Sequence, residues 1–225
     1  MERRVHGNRG AGLAVRFLIS IVGVSFVMLG VAFITLAGLG TSPVSAPVWV
    51  ATLAGGLSFG GWTAVWNMIL IGVQLLLLRR EFPLHAWWQI PAIFVASVTL
   101  DLWMALFSGF DPQNYMLKIA SVLLGTFILG LGVSLTVVPN LLFLPGEGVV
   151  SAVSVVTGWK FHHVKQGNDI ILVTIAVIAS FILFGELRGL REGTVISALL
   201  IGVVVGWVSP TVKKFVTAVT PGRAE

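Results

Sequence analysis

The sequence lacks cysteine, holds a single tyrosine, and has charged residues at only 10% of its 225 positions. The lack of cysteine excludes disulfides and thiolate metal sites. A soluble domain carries about a quarter charged residues, so this composition provides no aqueous surface. Apolar residues, in contrast, make up 56% of the chain. We therefore expect an all-α protein whose main partner is the lipid bilayer.

The net charge of +5 does not indicate nucleic-acid binding. The 14 basic residues lie mostly at the ends of apolar segments, as membrane topology signals do, and form no patch interleaved with aromatics. Phosphate-loop, nucleophile-elbow and zinc-protease motifs are all missing from the sequence. We expect no enzymatic activity, no cofactor, no metal site and no nucleic-acid partner.

Apolar runs separated by charges or turn residues predict about eight helices. Six are long enough for a bilayer, which needs about 20 residues. Two are short, rich in small residues, and begin at Pro43 and Pro145, a residue suited to the first turn of a helix. No signal-cleavage pattern follows the first apolar run, which we expect to remain as a helix. The segments are 14–37, 43–57, 59–78, 85–108, 116–138, 145–158, 168–185 and 192–210.

The two halves of the chain align at an offset of 102 residues, without a gap from Arg16 to about Val73. This predicts one membrane domain of two tandem pseudo-symmetric units of four helices, at about 14–108 and 116–214. A loop around 108–115 separates the units. The aligned pairs include Arg16 with Lys118, Gly23 with Gly125, Pro43 with Pro145, and Asn67 with Asp169.

The orientation of the two units has two solutions. If both short segments span the membrane, the units are parallel and ten of the 14 basic residues lie inside. If the short segments are re-entrant, the units are inverted and eleven lie inside. The positive-inside rule favours cytoplasmic termini in an inner (plasma) membrane either way. The equivalent places of Arg16 and Lys118 favour the parallel, eight-span solution.

Short segments at matching places in two halves point to a transport site. The loop with Thr41 and Ser42 opens the first, and Glu147, between two glycines, begins the second. Both features are also compatible with simple interhelical turns. In the parallel solution Glu147 lies near Arg188, Arg191 and Glu192, as a gate, a binding site, or a salt-bridge network at the headgroups.

Three further polar residues lie within apolar segments. Asp101 is the acid deepest inside a long apolar run, where an ionisable group is a functional candidate unless it reaches the interface. Asn67 and Asp169 hold equivalent positions in the two units. Such groups line a path or bond across helices.

Two stretches carry a family resemblance: GLGTSPVSAPVWVATLAGGLSFG over 38–60, and LRGLREGTVISALLIG over 187–202. With them the chain resembles the YczE/YyaS/YitT-type bacterial integral membrane proteins. The resemblance implies a bacterial inner-membrane protein with transport as one expectation, and it implies no substrate. It also marks Arg191, Glu192, Gly193 and Thr194 as motif positions without assigned chemistry.

The function we expect is a small secondary transporter or permease for a polar or charged solute. Its path would run between the two units, near the short helices. The alternative is a membrane-embedded accessory or scaffold subunit without transport activity. A chain of 225 residues is small for a lone carrier, so a homodimer is a further expectation.

Overall fold

The computed structural model describes residues 2–139, 141 and 144–220. Every regular element in these ranges is helical, and six helices are long and apolar enough to cross a membrane. The eight predicted helices are all present. They are α1 (Glu2–Leu36), α2 (Ala46–Ala54), α3 (Phe59–Leu78), α4 (Gln89–Leu106), α5 (Tyr115–Val137), α6 (Pro145–Thr157), α7 (Phe161–Phe184) and α8 (Glu192–Val219).

Helices α1 and α5 form the central pair of the bundle, and glycines let them approach closely. A Cβ atom built on Gly30 would lie 2.5 Å from the backbone nitrogen of Leu129. A Cβ on Gly132 would likewise meet the backbone nitrogen of Val27. Since Gly23 lies opposite Leu135 while Gly30 lies opposite Leu129, the two helices run antiparallel.

The directions of the remaining long helices are described relative to this pair. Helix α4 runs parallel to α1, with Phe17 against Trp88 and Phe33 against Phe107. Helix α8 runs antiparallel to α1, with the Gly40 loop against Thr194 at its start. We call the end of the bundle where α1 begins the proximal end, and the end near Leu36 the distal end. Helices α4 and α7 also begin proximally, whereas α3, α5 and α8 begin distally.

The short helices α2 and α6 enter the bundle from opposite ends. Helix α6 packs along the last turns of α3, with Gly148 against Gln74, and ends at the proximal side. Helix α2 ends at the distal side, where Trp49 contacts Phe59 and Gly189. At 1.5 Å per residue, each is about 20 Å long or less and does not cross a 30 Å hydrocarbon core.

The parallel, eight-span arrangement preferred from the sequence is therefore wrong. Six long helices cross the bundle, and the first helices of the two halves, α1 and α5, are antiparallel. The equivalence of Arg16 and Lys118 misled the prediction, because Lys118 lies at the distal end with its ammonium 3.8 Å from a Cβ built on Gly38.

The helices pack in two groups. The first group consists of the central pair, α1 and α5, with α4 and α8 packed against it. The second group consists of α2, α3, α6 and α7, in which α3 packs on α6 and α2 packs on α7. The groups are joined mainly where α3 packs on α4. The corresponding helices of the second half, α7 and α8, make hardly any contact within the described ranges.

Three helix boundaries differ widely from the prediction. Helix α1 begins at Glu2 rather than near residue 14. Helix α7 begins at Phe161 rather than near residue 168, so the basic stretch expected to be a loop is helical. The first turns of α7 were not predicted because their polar residues interrupt the apolar pattern. In the structure, Lys165 and Asp169 form an i,i+4 ion pair that stabilises these turns. Helix α8 continues through Pro210 to Val219, past its predicted end.

Candidate functional site

The amino-terminal ends of α2 and α6 meet inside the bundle. A Cβ atom built on Gly146 would lie 3.2 Å from Cγ1 of Val44, in the 3-10 turn Pro43–Ser45 that leads into α2. Val44 and Gly146 are 102 residues apart, which makes them equivalent in the alignment of the two halves. The amino-terminal ends of two short helices, which carry the positive ends of the helix dipoles, therefore lie near one point. We call this point the central junction.

Buried hydroxyls fix the loop that leads into α2. The hydroxyl oxygens of Thr35 and Thr41 are 2.7 Å apart and share a hydrogen bond. The Thr41 backbone N–H donates to the Thr194 hydroxyl at 3.1 Å, and the Gly193 N–H donates to the Leu39 carbonyl at 2.8 Å. The first turn of α8 thus closes the distal side above the central junction.

Ser42 lies next in the chain, just before α2. It is buried, and its hydroxyl donates to the Ser45 hydroxyl at 3.0 Å. Ser45 holds the position equivalent to Glu147. The pair places two hydroxyl groups on the α2 side of the central junction.

Glu147 lies in the first turn of α6, on the other side of the junction. Its backbone N–H donates to the Leu144 carbonyl at 3.1 Å, while the side chain is half-buried. Helix α7, which packs on α6, carries the charges of Lys165 and Asp169. No ion pair or side-chain hydrogen bond of Glu147 is found in the part of the chain that the structure describes.

Two glutamines join α3, α4 and α6 on the proximal side. Gln74 and Gln89 are buried, and each amide nitrogen donates to the other side-chain oxygen at 3.0 Å. Gln74 also donates to the Pro145 carbonyl at 3.3 Å. A cleft of about 200 Å³ opens beside this pair, lined by Gln74, Leu78, Glu81, Pro83, Ala86, Gly148, Ser151, Ala152 and Val155.

Asn67 and Asp169, the equivalent pair on α3 and α7, have different partners. Asn67 is buried, and its amide donates to the Thr63 carbonyl one turn earlier at 2.8 Å. Asp169 instead accepts from Lys165 at 2.8 Å. The first half thus has a neutral contact where the second has an ion pair.

Asp101 anchors the start of α3 to α4. Its carboxylate accepts from the Ser58 hydroxyl at 2.6 Å and from the Gly60 backbone N–H at 2.7 Å. A carboxylate at a helix start satisfies free N–H groups and complements the helix dipole. The second half has His162 at the position equivalent to Gly60, and there α7 and α8 make hardly any contact within the described ranges.

Arg188, Arg191 and Glu192 lie at the distal end, away from Glu147. Arg188 pairs with Glu186 at 2.6 Å, and Arg191 lies 3.5 Å from Glu192 and from the Gly38 carbonyl. The expected cluster of these residues with Glu147 does not form, because α6 starts beside the proximal part of α3. Arg79 and Arg80 follow α3 and lie on the Glu147 side instead.

The sequence analysis missed Thr35, Gln89 and Lys165 as site residues. The i,i+4 spacing of Lys165 and Asp169 was a readable signal for their pair. No comparable pattern marks Thr35 or Gln89, since their partners are 6 and 15 residues away and depend on the packing of the loops. Asn140, Leu142 and Phe143 of the predicted second loop lie outside the described residues.

Six long apolar helices and two short helices that enter from opposite ends define a multi-pass helical membrane protein. The chain belongs to the family described as "Family of unknown function (DUF6198)", whose model matches residues 14–210. This agrees with the resemblance seen in the sequence.

Two relatives come from Bacillus subtilis (strain 168). The chain is 24% identical over 202 residues to the "Uncharacterized membrane protein YczE", covering 88% of this chain and 87% of that protein. It is 26% identical over 115 residues to the "Uncharacterized protein YyaS", covering 51% of this chain and 56% of that protein. No solved structure matches the chain.

Proposed function

We propose that this protein is a small secondary permease for a polar or charged solute, whose path passes through the central junction. The observation that carries the proposal is the approach of Gly146 to Val44, which brings two short-helix starts together inside the bundle. Short or broken helices at matching places, with their amino-terminal ends directed at a common point, are a recurrent design of substrate sites in transporters.

The proposal includes an inverted repeat of two units, about 14–108 and 116–214. Reciprocal contacts support it: Gly30 lies against Leu129 and Gly125, while Gly132 lies against Val27 and Gly23. Adding or subtracting 102 residues converts the contacts of Gly30 into those of Gly132. In this arrangement ten of the 13 basic residues in the described ranges lie toward the proximal end, so we propose that both termini are cytoplasmic.

The two sides of the junction differ in the structure. On the distal side, the Thr35–Thr41–Thr194 contacts and the first turn of α8 close the path. On the proximal side, a cleft beside Gln74 is lined by Gly148 and Ser151 of α6. We therefore assign the structure to a proximally open state of the permease.

Osmotic re-swelling of proteoliposomes tests the proposal without a known solute. The vesicles are exposed to gradients of ammonium chloride, sodium acetate, glycine or urea, which cover a cation, an anion, a zwitterion and a neutral solute. We expect faster re-swelling than in protein-free vesicles for one class. In Glu147→Gln this rate falls about tenfold or more, because a contact to a charged group contributes about 1.5 kcal/mol or more.

Glu186→Gln is the matched control, since Glu186 pairs with Arg188 at the distal surface. We expect its rate to equal that of the wild type. If no solute class enters faster than in protein-free vesicles, the accessory or scaffold role is the better interpretation. A rate that Glu147→Gln leaves unchanged removes the central junction from the path.

A further inference from the structure

The charged groups near the central junction lie on only one of its two equivalent sides. Helices α6 and α7 carry Glu147, Lys165 and Asp169 there. The first half builds the matching contact between α2 and α3 with neutral side chains. The equivalent residues, 102 positions earlier, are Ser45, Thr63 and Asn67. Since one half forms this helix contact without charges, the contact itself does not require them, and the charges in the other half indicate a function.

The three charged groups do not cancel one another. Lys165 donates to Asp169 at 2.8 Å, and both side chains are largely buried. This pair leaves Glu147 with an unbalanced negative charge in the ranges that the structure describes. A carboxylate in a membrane interior requires a counter-charge or a proton. Helix α7, which carries Lys165, packs directly on α6, which carries Glu147.

Protons have a route to Glu147 from the proximal side. The cleft of about 200 Å³ is lined by Gly148 and by Ser151, which follows Glu147 by one helical turn on the same face of α6. Gly148 packs closely against Gln74, since a Cβ atom there would lie 2.5 Å from the Gln74 side-chain oxygen. Gln74 and Ser151 supply polar atoms in the same wall, where water can be held.

We propose that Glu147 is the proton-binding site that couples this permease to a proton gradient, and that Lys165 is a built-in cation that replaces the proton. The inference rests on the proposed function and names the coupling ion for the same site. In one state Lys165 pairs with Asp169, as the structure shows, and Glu147 holds a proton. In the other state Glu147 is ionised and Lys165 moves toward it.

The exchange is balanced in atoms and charge. A hydronium ion in the cleft transfers its proton to a carboxylate oxygen of Glu147, an O–H bond forms, and water remains. The Lys165 ammonium keeps all its protons and changes only its partner. In the other half of the cycle the O–H bond of Glu147 breaks and its proton passes to a water molecule on the distal side. The core therefore carries the same charge after each complete cycle, while one proton crosses per turnover.

Few other titratable groups face Glu147. Helix α6 has no second charged residue, and neither α3 nor the Pro43–Ala54 segment carries a charge. Helix α7 contributes Lys165 and Asp169, and its first turn contains His162 and His163. Beyond the end of α3 lie Arg79, Arg80 and Glu81, with Glu81 in the cleft wall.

Infrared difference spectroscopy of the reconstituted full chain tests the proton site independently of transport. Lowering the pH should produce a carboxylic-acid C=O band that is absent from Glu147→Gln. The band should be unchanged in Glu186→Gln, which removes a carboxylate from the distal surface. Identical spectra of the wild type and Glu147→Gln would overturn the proposal, even if a solute crosses the vesicles.

Lys165 variants test the positioning role. In Lys165→Met the Glu147 band should appear at a pH higher by about one unit or more, since an opposite charge nearby favours the ionised acid. Lys165→Arg retains the charge and should restore the wild-type titration. A midpoint that does not move in Lys165→Met overturns the role of Lys165. Normal bands without solute flux would instead remove the permease function and leave Glu147 as a proton site.

Discussion

At the scale of single residues, Gly193 shows why the motif REGT has its glycine. A Cβ atom built there would lie 2.6 Å from the Leu39 carbonyl oxygen, to which the Gly193 N–H donates. We predict that Gly193→Ala lowers the free energy of unfolding by about 1–3 kcal/mol through overpacking. Thermal unfolding in detergent measures the change.

The control for this substitution lies in the same helix. Among the described residues, a Cβ atom built on Gly206 would meet nothing within 4 Å beyond the adjacent backbone of α8. Gly206→Ala should therefore be neutral or stabilising by up to about 1 kcal/mol. Equal losses in both variants would contradict the close contact of α8 with the Leu39 loop.

The sequence predicted some residues of the central junction but not the residues that lie beside them. Thr41, Ser42 and Glu147 follow from the glycine and proline pattern at the starts of the short helices, and the structure places all three around the central junction. The charged groups on the helix that packs beside Glu147 could not be derived. They depend on the direction in which α6 enters the bundle, which local sequence does not encode, and the prediction chose Arg188 and Arg191 in place of Lys165.

At the scale of helices, Asp101 determines how α3 joins α4. We predict that Asp101→Ala lowers the free energy of unfolding by about 1.5–3 kcal/mol, because the Gly60 N–H and the Ser58 hydroxyl lose a charged acceptor. Asp111→Ala removes an exposed carboxylate from the interunit loop and should cost less than about 0.5 kcal/mol. Chemical denaturation in detergent measures both changes. Comparable losses in the two variants would contradict an anchoring role.

Helix positions were more predictable than helix contacts. Long apolar runs need about 20 residues to cross a bilayer, so α3 and α5 were predicted within one or two residues of their observed ends. The start of α7 was missed because Lys165 and Asp169 interrupt its apolar run while pairing within the helix. The loose contact of α7 with α8 was not predictable either, because it is a property of helix packing and leaves no local sequence pattern.

At the scale of the whole molecule, the relation between the two halves could not be read from charge. The parallel arrangement places ten basic residues inside and the inverted arrangement places eleven inside. A difference of one residue does not distinguish the two arrangements. The decisive feature is the packing of α1 against α5, in which Gly23 and Gly30 lie opposite Leu135 and Leu129. Glycines at matching positions were visible in the sequence, but the direction of their contact was not.

The inverted arrangement predicts which surface positions share a side of the membrane. Arg80 follows α3 at the proximal end and Lys118 begins α5 at the distal end. The chain has no cysteine, so single variants at these two positions can be labelled without a background. In intact cells we expect a membrane-impermeant maleimide to label Lys118→Cys and to spare Arg80→Cys. Lys214→Cys is the reference for the proximal side, because Lys214 lies near the proximal end of α8. Arg188→Cys is the reference for the distal side, because α8 begins shortly after Arg188. Labelling of Arg80→Cys together with Arg188→Cys would show that α2 crosses the membrane and that the two units are parallel.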